Sequence, residues 1–199
     1  MILRLLHAAA ARPFIYNCIQ AASGARIVHA KLGRQIRGLQ APRYVLDVGG
    51  ATGTLRAHCP KDTRYVCLDV EFPKLAGFRK NVPDGLALLG DARAMPLAAE
   101  SIHAVICTAV AHHLDEDALS QTLAESRRVL VRDGRCIFLD ALVRRDRLLS
   151  RILWGLDRGA HPYSNERLRE LLESQFEICY WERFTVLHEY ALAVLRKRN

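Results

Sequence analysis

The sequence predicts an α/β fold: seven strands in a mostly parallel sheet, helices on both faces, a C-terminal antiparallel hairpin and an N-terminal helical leader. Three observations predict it. From Arg43 onward short apolar runs alternate with amphipathic stretches, the pattern of parallel strands joined by right-handed helical crossovers. The run 102–108 is apolar almost throughout, as a strand covered on both faces must be. The last two apolar runs, 176–184 and 190–196, are separated by too few residues for a crossover, so they must pair antiparallel.

The elements follow in order. In the leader, Ile2, Leu3, Leu5 and Leu6 begin an apolar stripe that Pro13 interrupts; residues 14–20 start a second helical piece, broken at Gly24. Residues 27–39 form a basic amphipathic third piece, and Pro42 ends the helical region. A domain boundary therefore falls after residue 42, with 1–42 a leader or lid and 43–199 the α/β domain. Residues 44–48 are the first strand, closed by Gly49 and Gly50. A short helix over 54–59 is stopped by Pro60. Residues 64–70 are the second strand, 72–80 a helix, 86–89 a short third strand and 102–108 the fourth. A helix over 115–131, with Leu119, Leu123 and Leu130 about a turn apart, is closed by Asp133 and Gly134. Residues 135–142 are the fifth strand, and a helix around 165–174 precedes the hairpin.

Composition narrows the class. The 199 residues suit one domain, and half of them are hydrophobic. No apolar run reaches the roughly 20 residues of a membrane span. The six cysteines are scattered, several inside apolar runs, which points to free thiols in a reducing, cytoplasmic setting rather than disulfides or a metal site. The net charge is +8, and no Asp or Glu occurs before Asp47 while Arg4, Arg12, Arg26, Lys31, Arg34, Arg37 and Arg43 are basic. Nucleic acid is therefore a partner to weigh, although a solvated Arg-rich surface accounts for the charge more simply. An Arg-rich, acid-free start also suits an organelle transit peptide, but this one is poor in Ser and runs into the domain without a break.

The chemistry gathers at strand ends. Val45-Leu46-Asp47-Val48-Gly49-Gly50-Ala51-Thr52-Gly53 places an acid at the end of the first strand and a glycine-rich turn after it. Glycines there let a ligand approach the backbone, and a following helix would offer free N–H groups to a ligand carboxylate. The dinucleotide pattern G-x-G-x-x-G fails at two of three glycines, which excludes a nicotinamide dehydrogenase. Asp69 ends the second strand about 20 residues on, where an acid can accept from both ribose hydroxyls. Gly90-Asp91-Ala92-Arg93-Ala94-Met95-Pro96-Leu97 follows the third strand, and Thr108-Ala109-Val110-Ala111-His112-His113-Leu114 the fourth.

Read as D-x-G-x-G-x-G, with Ala51 in one glycine place, the first motif resembles the cofactor loop of class I S-adenosylmethionine-dependent methyltransferases. The Gly90–Leu97 stretch, continued by Ser101-Ile102-His103-Ala104-Val105, resembles the same family's G-D-A-x-x-L-P-F…S-F-D-x-V. His103 stands where the family carries Asp, at a position expected on the surface. The resemblance covers residues 43–140 by motif and the tail by topology, and leans toward the small-molecule, ubiquinone- and menaquinone-biosynthesis-like members. It implies a Rossmann-like fold, S-adenosylmethionine as cofactor and methyl transfer to an O, N or C of a small acceptor. The cofactor residues it implies are Asp47, Gly49, Gly50, Ala51, Gly53, Asp69, Val70, Asp91, Ala92, Thr108 and His113. His113 and His112 are the candidate catalytic bases. His161 and Tyr163, in the polar loop 157–164, are the candidate acceptor contacts, and no metal is implied.

Two other functions stand beside this one. An RNA or other nucleic-acid methyltransferase suits the charge, but amino-base methylases of this fold carry [N/D]-P-P-[Y/F] where residues 108–111 read Thr-Ala-Val-Ala. A non-catalytic, methyltransferase-like partner subunit would keep the fold without turnover. The oligomeric state and the acceptor leave no mark in the sequence.

Overall fold

The structure, a computed structural model, describes residues 25–40, 42–143, 154, 161–186 and 188–198. The first two helical pieces expected in the leader and residues 157–160 of the loop 157–164 lie outside the described residues. The third leader piece is a helix, α1 (Ala25–Arg37). Seven strands follow in chain order: β1 (Tyr44–Val48), β2 (Arg64–Asp69), β3 (Leu86–Leu89), β4 (Ile102–Thr108), β5 (Leu130–Leu142), β6 (Phe176–Thr185) and β7 (Glu189–Lys197). Between them lie α2 (Phe72–Asn81), α3 (Glu116–Val129) and α4 (Asn165–Gln175).

The strands form one sheet in the order β3-β2-β1-β4-β5-β7-β6. β1 to β5 run parallel, while β7 pairs antiparallel with both β5 and β6. This is the mostly parallel, Rossmann-like sheet with a terminal hairpin that the sequence predicts. The chain order reverses between β1 and β4. In open α/β sheets ligands bind beyond the carboxyl ends of the strands at such a switch point, so topology alone fixes where the site lies.

Side-chain alternation along the strands divides the core in two. On one face Leu46, Val48, Val105, Cys107 and Phe138 meet Leu119 and Leu123 of α3 and Leu168 and Leu172 of α4. On the other, Val45, Tyr65, Cys67, Ile106 and Ile137 meet Leu32 and Ile36 of α1 and Leu75 and Phe78 of α2. α1 is therefore built into the core of the domain. Lys31 of α1 also pairs with Glu182 of β6 and lies 4.9 Å over the Phe184 ring.

Three local expectations change. The short helix expected over 54–59 is a 3-10 helix, Thr54–His58, whose N–H groups bond three residues back, as Arg56 does to Gly53. β5 begins at Leu130, which pairs with Ile102; Asp133 and Gly134 are an irregularity inside the strand, and pairing resumes at Arg135. His103 is half-buried and stacks on Tyr44, with ring centroids 6.1 Å apart. Cys59, Cys67, Cys107, Cys136 and Cys179 are free thiols, and no described helix is long and apolar enough to cross a membrane.

Candidate functional site

The turn after β1 is held tightly against its neighbours. Gly49 has φ +67° and Gly53 φ +77°, conformations that exclude most side chains. A Cβ at Gly49 would stand 2.6 Å from Val110 Cγ2, so the turns after β1 and β4 meet across the switch point. At Gly50 a Cβ would collide with the Asp47 carboxylate. Ala51, in the glycine place, keeps a left-handed φ of +47°.

Asp47 lies beneath this turn and is buried. Its Oδ2 accepts from the Tyr65 hydroxyl, and its Oδ1 has no hydrogen-bond partner. Burial pushes its carboxyl up to about 7; the Tyr65 bond works against that rise and the nearby Asp69 adds to it. Asp69, at the end of β2, is also buried but is engaged differently. Its Oδ2 accepts from Ala51 N–H at 3.2 Å and its Oδ1 from Glu71 N–H at 2.9 Å. A carboxylate has about four acceptor sites, so half remain for a ligand. Beyond it Val70 and Phe72 are 66% and 68% exposed, a flat apolar surface next to an acid.

Asp91 follows β3 and is more open. Its oxygens accept from Arg93 N–H at 2.8 Å and from the Arg93 guanidinium at 2.6 Å, which holds its carboxyl below the usual range. Ala92 beside it is half-buried. Thr108 ends β4, half-buried, and Ala109 has φ +55° with its N–H bonded to Leu139 O at 2.9 Å. Two non-glycine residues in the left-handed region, Ala51 and Ala109, thus flank the switch point, a place where strain is commonly held for function.

The next turn brings together two residues that the sequence does not connect. His112 Nδ1 lies 2.6 Å from Asp140 Oδ1, and both side chains are buried. Asp140 Oδ2 also accepts from Ala111 N–H at 2.7 Å. A carboxylate can only accept, so Nδ1 carries the proton and, in the neutral ring, the lone pair sits on Nε2. His113 is exposed beside it, the two rings 4.1 Å apart, and the Trp154 ring stands edge-on 5.6 Å from His112. Asp140 was missed in the sequence, although an acid ending an apolar strand is the signal that marks Asp47 and Asp69.

The acceptor candidates separate. His161 is exposed, and its backbone N–H donates to His112 O at 3.0 Å, which puts it against the histidine turn. Tyr163 is buried instead, its hydroxyl donating to Leu114 O at 2.8 Å and its backbone bridging Leu142. It ties the loop to the sheet and does not present its ring to an acceptor. The helix end expected for a ligand carboxylate is that of the short 3-10 helix Thr54–His58, which sums fewer peptide dipoles than a full α-helix does.

A family model described as "Methyltransferase domain" matches residues 46–138, the stretch that carries Asp47, Asp69, Asp91 and His112. Residues 46–138 are thus a methyltransferase domain of the S-adenosylmethionine-dependent class. The chain's sheet order and terminal hairpin agree with this, and S-adenosylmethionine is its cofactor. Several solved structures are similar to the methyltransferase. An N-methyltransferase of Bradyrhizobium japonicum, NodS, in complex with S-adenosylhomocysteine, superposes with a TM-score of 0.70 at 18% identity, over 87% of each chain. The pyocyanin biosynthetic protein PhzM gives 0.73 at 19% identity, over 94% of this chain and 60% of that one. A S-adenosylmethionine-dependent methyltransferase of Methanosarcina mazei gives 0.69 at 15% identity, over 81% and 95%. By sequence no curated protein matches the methyltransferase.

The residues fit the cofactor. The glycine turn is closely packed over Asp47, which keeps an unpartnered buried oxygen, and Asp69 keeps acceptor capacity beside an exposed apolar surface. Among the described residues no cluster of His, Cys, Asp or Glu could hold a metal ion.

Proposed function

We propose that the methyltransferase transfers the methyl group to a small-molecule acceptor at the carboxyl ends of β4 and β5. The cofactor supplies an electrophilic methyl on its sulfonium when bound. In this assignment Asp69 takes the ribose hydroxyls, Val70 lies against the adenine, Asp91 accepts from the adenine amino group and Ala92 N–H meets a ring nitrogen. Gly49, Gly50, Ala51 and Gly53 let the methionine end pass close to the backbone, with Asp47 beneath them and Thr108 at the far wall. The observation that carries the reading is Asp69, whose carboxylate joins the glycine turn to the end of β2 and still has lone pairs to offer.

On the acceptor side, His112 is the better base of the two histidines, because Asp140 fixes its tautomer and ring orientation. It takes a proton at Nε2 from an acceptor hydroxyl or amine as the nucleophile attacks. His113 lines the site, and His161, held against the same turn, is the acceptor contact. A small acceptor is supported by NodS, printed as an N-methyltransferase, and by PhzM, a protein of pyocyanin biosynthesis. It is also supported by Thr108-Ala109-Val110-Ala111 standing where amino-base methylases place their Pro-Pro motif. Residues 1–42 are proposed as a lid over this cleft, anchored by α1.

Calorimetric titration with S-adenosylhomocysteine tests the cofactor half of the proposal. Saturable binding that Asp69→Ala abolishes supports it, and a screen of hydroxyl and amine acceptors, read by S-adenosylhomocysteine release, then tests the rest. A folded protein that binds neither S-adenosylmethionine nor S-adenosylhomocysteine would instead be a partner subunit that has kept only the fold.

A further inference from the structure

The opposite end of the sheet carries a second cleft, with a cavity volume of about 490 Å³, within the range typical of small-ligand sites. It is formed by the C-terminal half of α3, the start of β5, the residues before β4 and the end of β7. Five of its side chains are cations, Arg127, Arg128, Arg132, Lys197 and Arg198, against one lining carboxylate, Glu100. The seven residues of β4 separate it from the methyl-transfer site, roughly 20 Å of strand.

The cations differ in how they are satisfied. Arg128 is held by Glu125 at 2.6 Å, and Lys197 by Glu100 at 3.2 Å. Among the described residues the side chains of Arg127 and Arg132 make no hydrogen bond or ion pair, and Arg198 feels the Glu177 carboxylate without a direct ion pair. The negative end of the α3 dipole accounts for cations in its last turn, Arg127 and Arg128. It does not account for Arg132, Lys197 and Arg198, which arrive from two strands. Like charges brought together from three separate elements repel one another, and a shared anion relieves that repulsion. Glu100 adds a local oddity: it is a non-glycine residue at φ +54°, pinned by its N–H to Arg128 O at 3.0 Å.

We propose that this cleft binds a phosphate-bearing anion, of the size and charge of a di- or triphosphate group. Guanidinium groups present paired N–H donors that match phosphate oxygens. The phosphates could belong to a free nucleotide or to a polynucleotide strand, and one experiment separates the two sources. The inference does not depend on the acceptor assigned above.

The test titrates the full chain with inorganic tripolyphosphate by calorimetry at low and high salt. The variants are the pair Arg127→Gln and Arg132→Gln, and a control pair on α2, Arg79→Gln and Lys80→Gln. Circular dichroism and the unfolding midpoint monitor folding of each variant, so the result does not rest on cofactor binding. The expected result is saturable, salt-sensitive binding that the first pair weakens about tenfold or more and the control pair leaves unchanged. A short single-stranded RNA that binds and is displaced by tripolyphosphate identifies a polynucleotide as the source; tripolyphosphate binding without RNA binding identifies a free nucleotide. Absence of saturable binding at low salt, or equal weakening by both pairs, overturns the proposal.

Discussion

Tyr65 donates its hydroxyl to Asp47 directly beneath the glycine turn, and both side chains of this pair are buried. The folded carboxyl lies at about 7, raised first by burial, whereas the unfolded one lies near the ordinary value of about 4. Between those values the folded state holds a proton that the unfolded state has released. The stability this group contributes is therefore fully present below about pH 4 and is lost as pH rises through about 7. Asp47→Asn should flatten the dependence of the unfolding midpoint on pH between about 4 and about 7. An unchanged slope would mean that another group sets it.

Ala51 occupies the left-handed region at φ +47°. A Cβ costs roughly 1–2 kcal/mol there, partly offset by the greater freedom glycine gives the unfolded chain. Ala51→Gly is expected to stabilise the protein by about 0.5–1 kcal/mol in urea unfolding. Destabilisation would show that the methyl group earns its place by packing.

Much of this site was legible because its acids end apolar strands. Asp47 and Asp69 each follow a run that only a covered strand explains, and the strand order places their ends together. The His112–Asp140 pair was half legible: the histidine follows a strand, but its partner lies 28 residues away and no local spacing joins them. The helix after Gly53 was legible but its type was not, because a stop at Pro60 leaves room for either a short α-helix or a short 3-10 helix, and composition does not separate them. Asp133-Gly134 resembles a helix stop in sequence, yet in the sheet it is a kink that β5 passes through. Tyr163 looked like a loop residue available to a ligand, and only the Leu114 carbonyl shows where its hydroxyl is used.

Asp140→Asn removes the charge that orients His112 while preserving shape. Turnover with a protic acceptor is expected to fall about a hundredfold, with S-adenosylhomocysteine affinity within about twofold of wild type. The acid limb of the rate–pH profile should move as well, which a merely structural role for Asp140 would not produce. Equal losses in affinity and turnover would assign Asp140 to the fold alone.

Ile36 of α1 is fully buried in the cluster that contains Val45, Ile137 and Leu192. Ile36→Ala should cost about 2–5 kcal/mol in chemical unfolding. A cost below about 1 kcal/mol would show that α1 rests on the domain without being part of it.

The placement of α1 also bears on the order in which the protein is made. Lys31 meets Glu182 across 151 residues of sequence, and Leu32 and Ile36 share their cluster with Leu192 of the last strand. A ribosome releases α1 long before β7 exists, so the early helix must wait with part of its apolar side uncovered. This face of the core closes only when the final hairpin has emerged. Contacts of such long sequence separation slow folding, and the waiting interval is when a chaperone or a protease would meet the nascent chain.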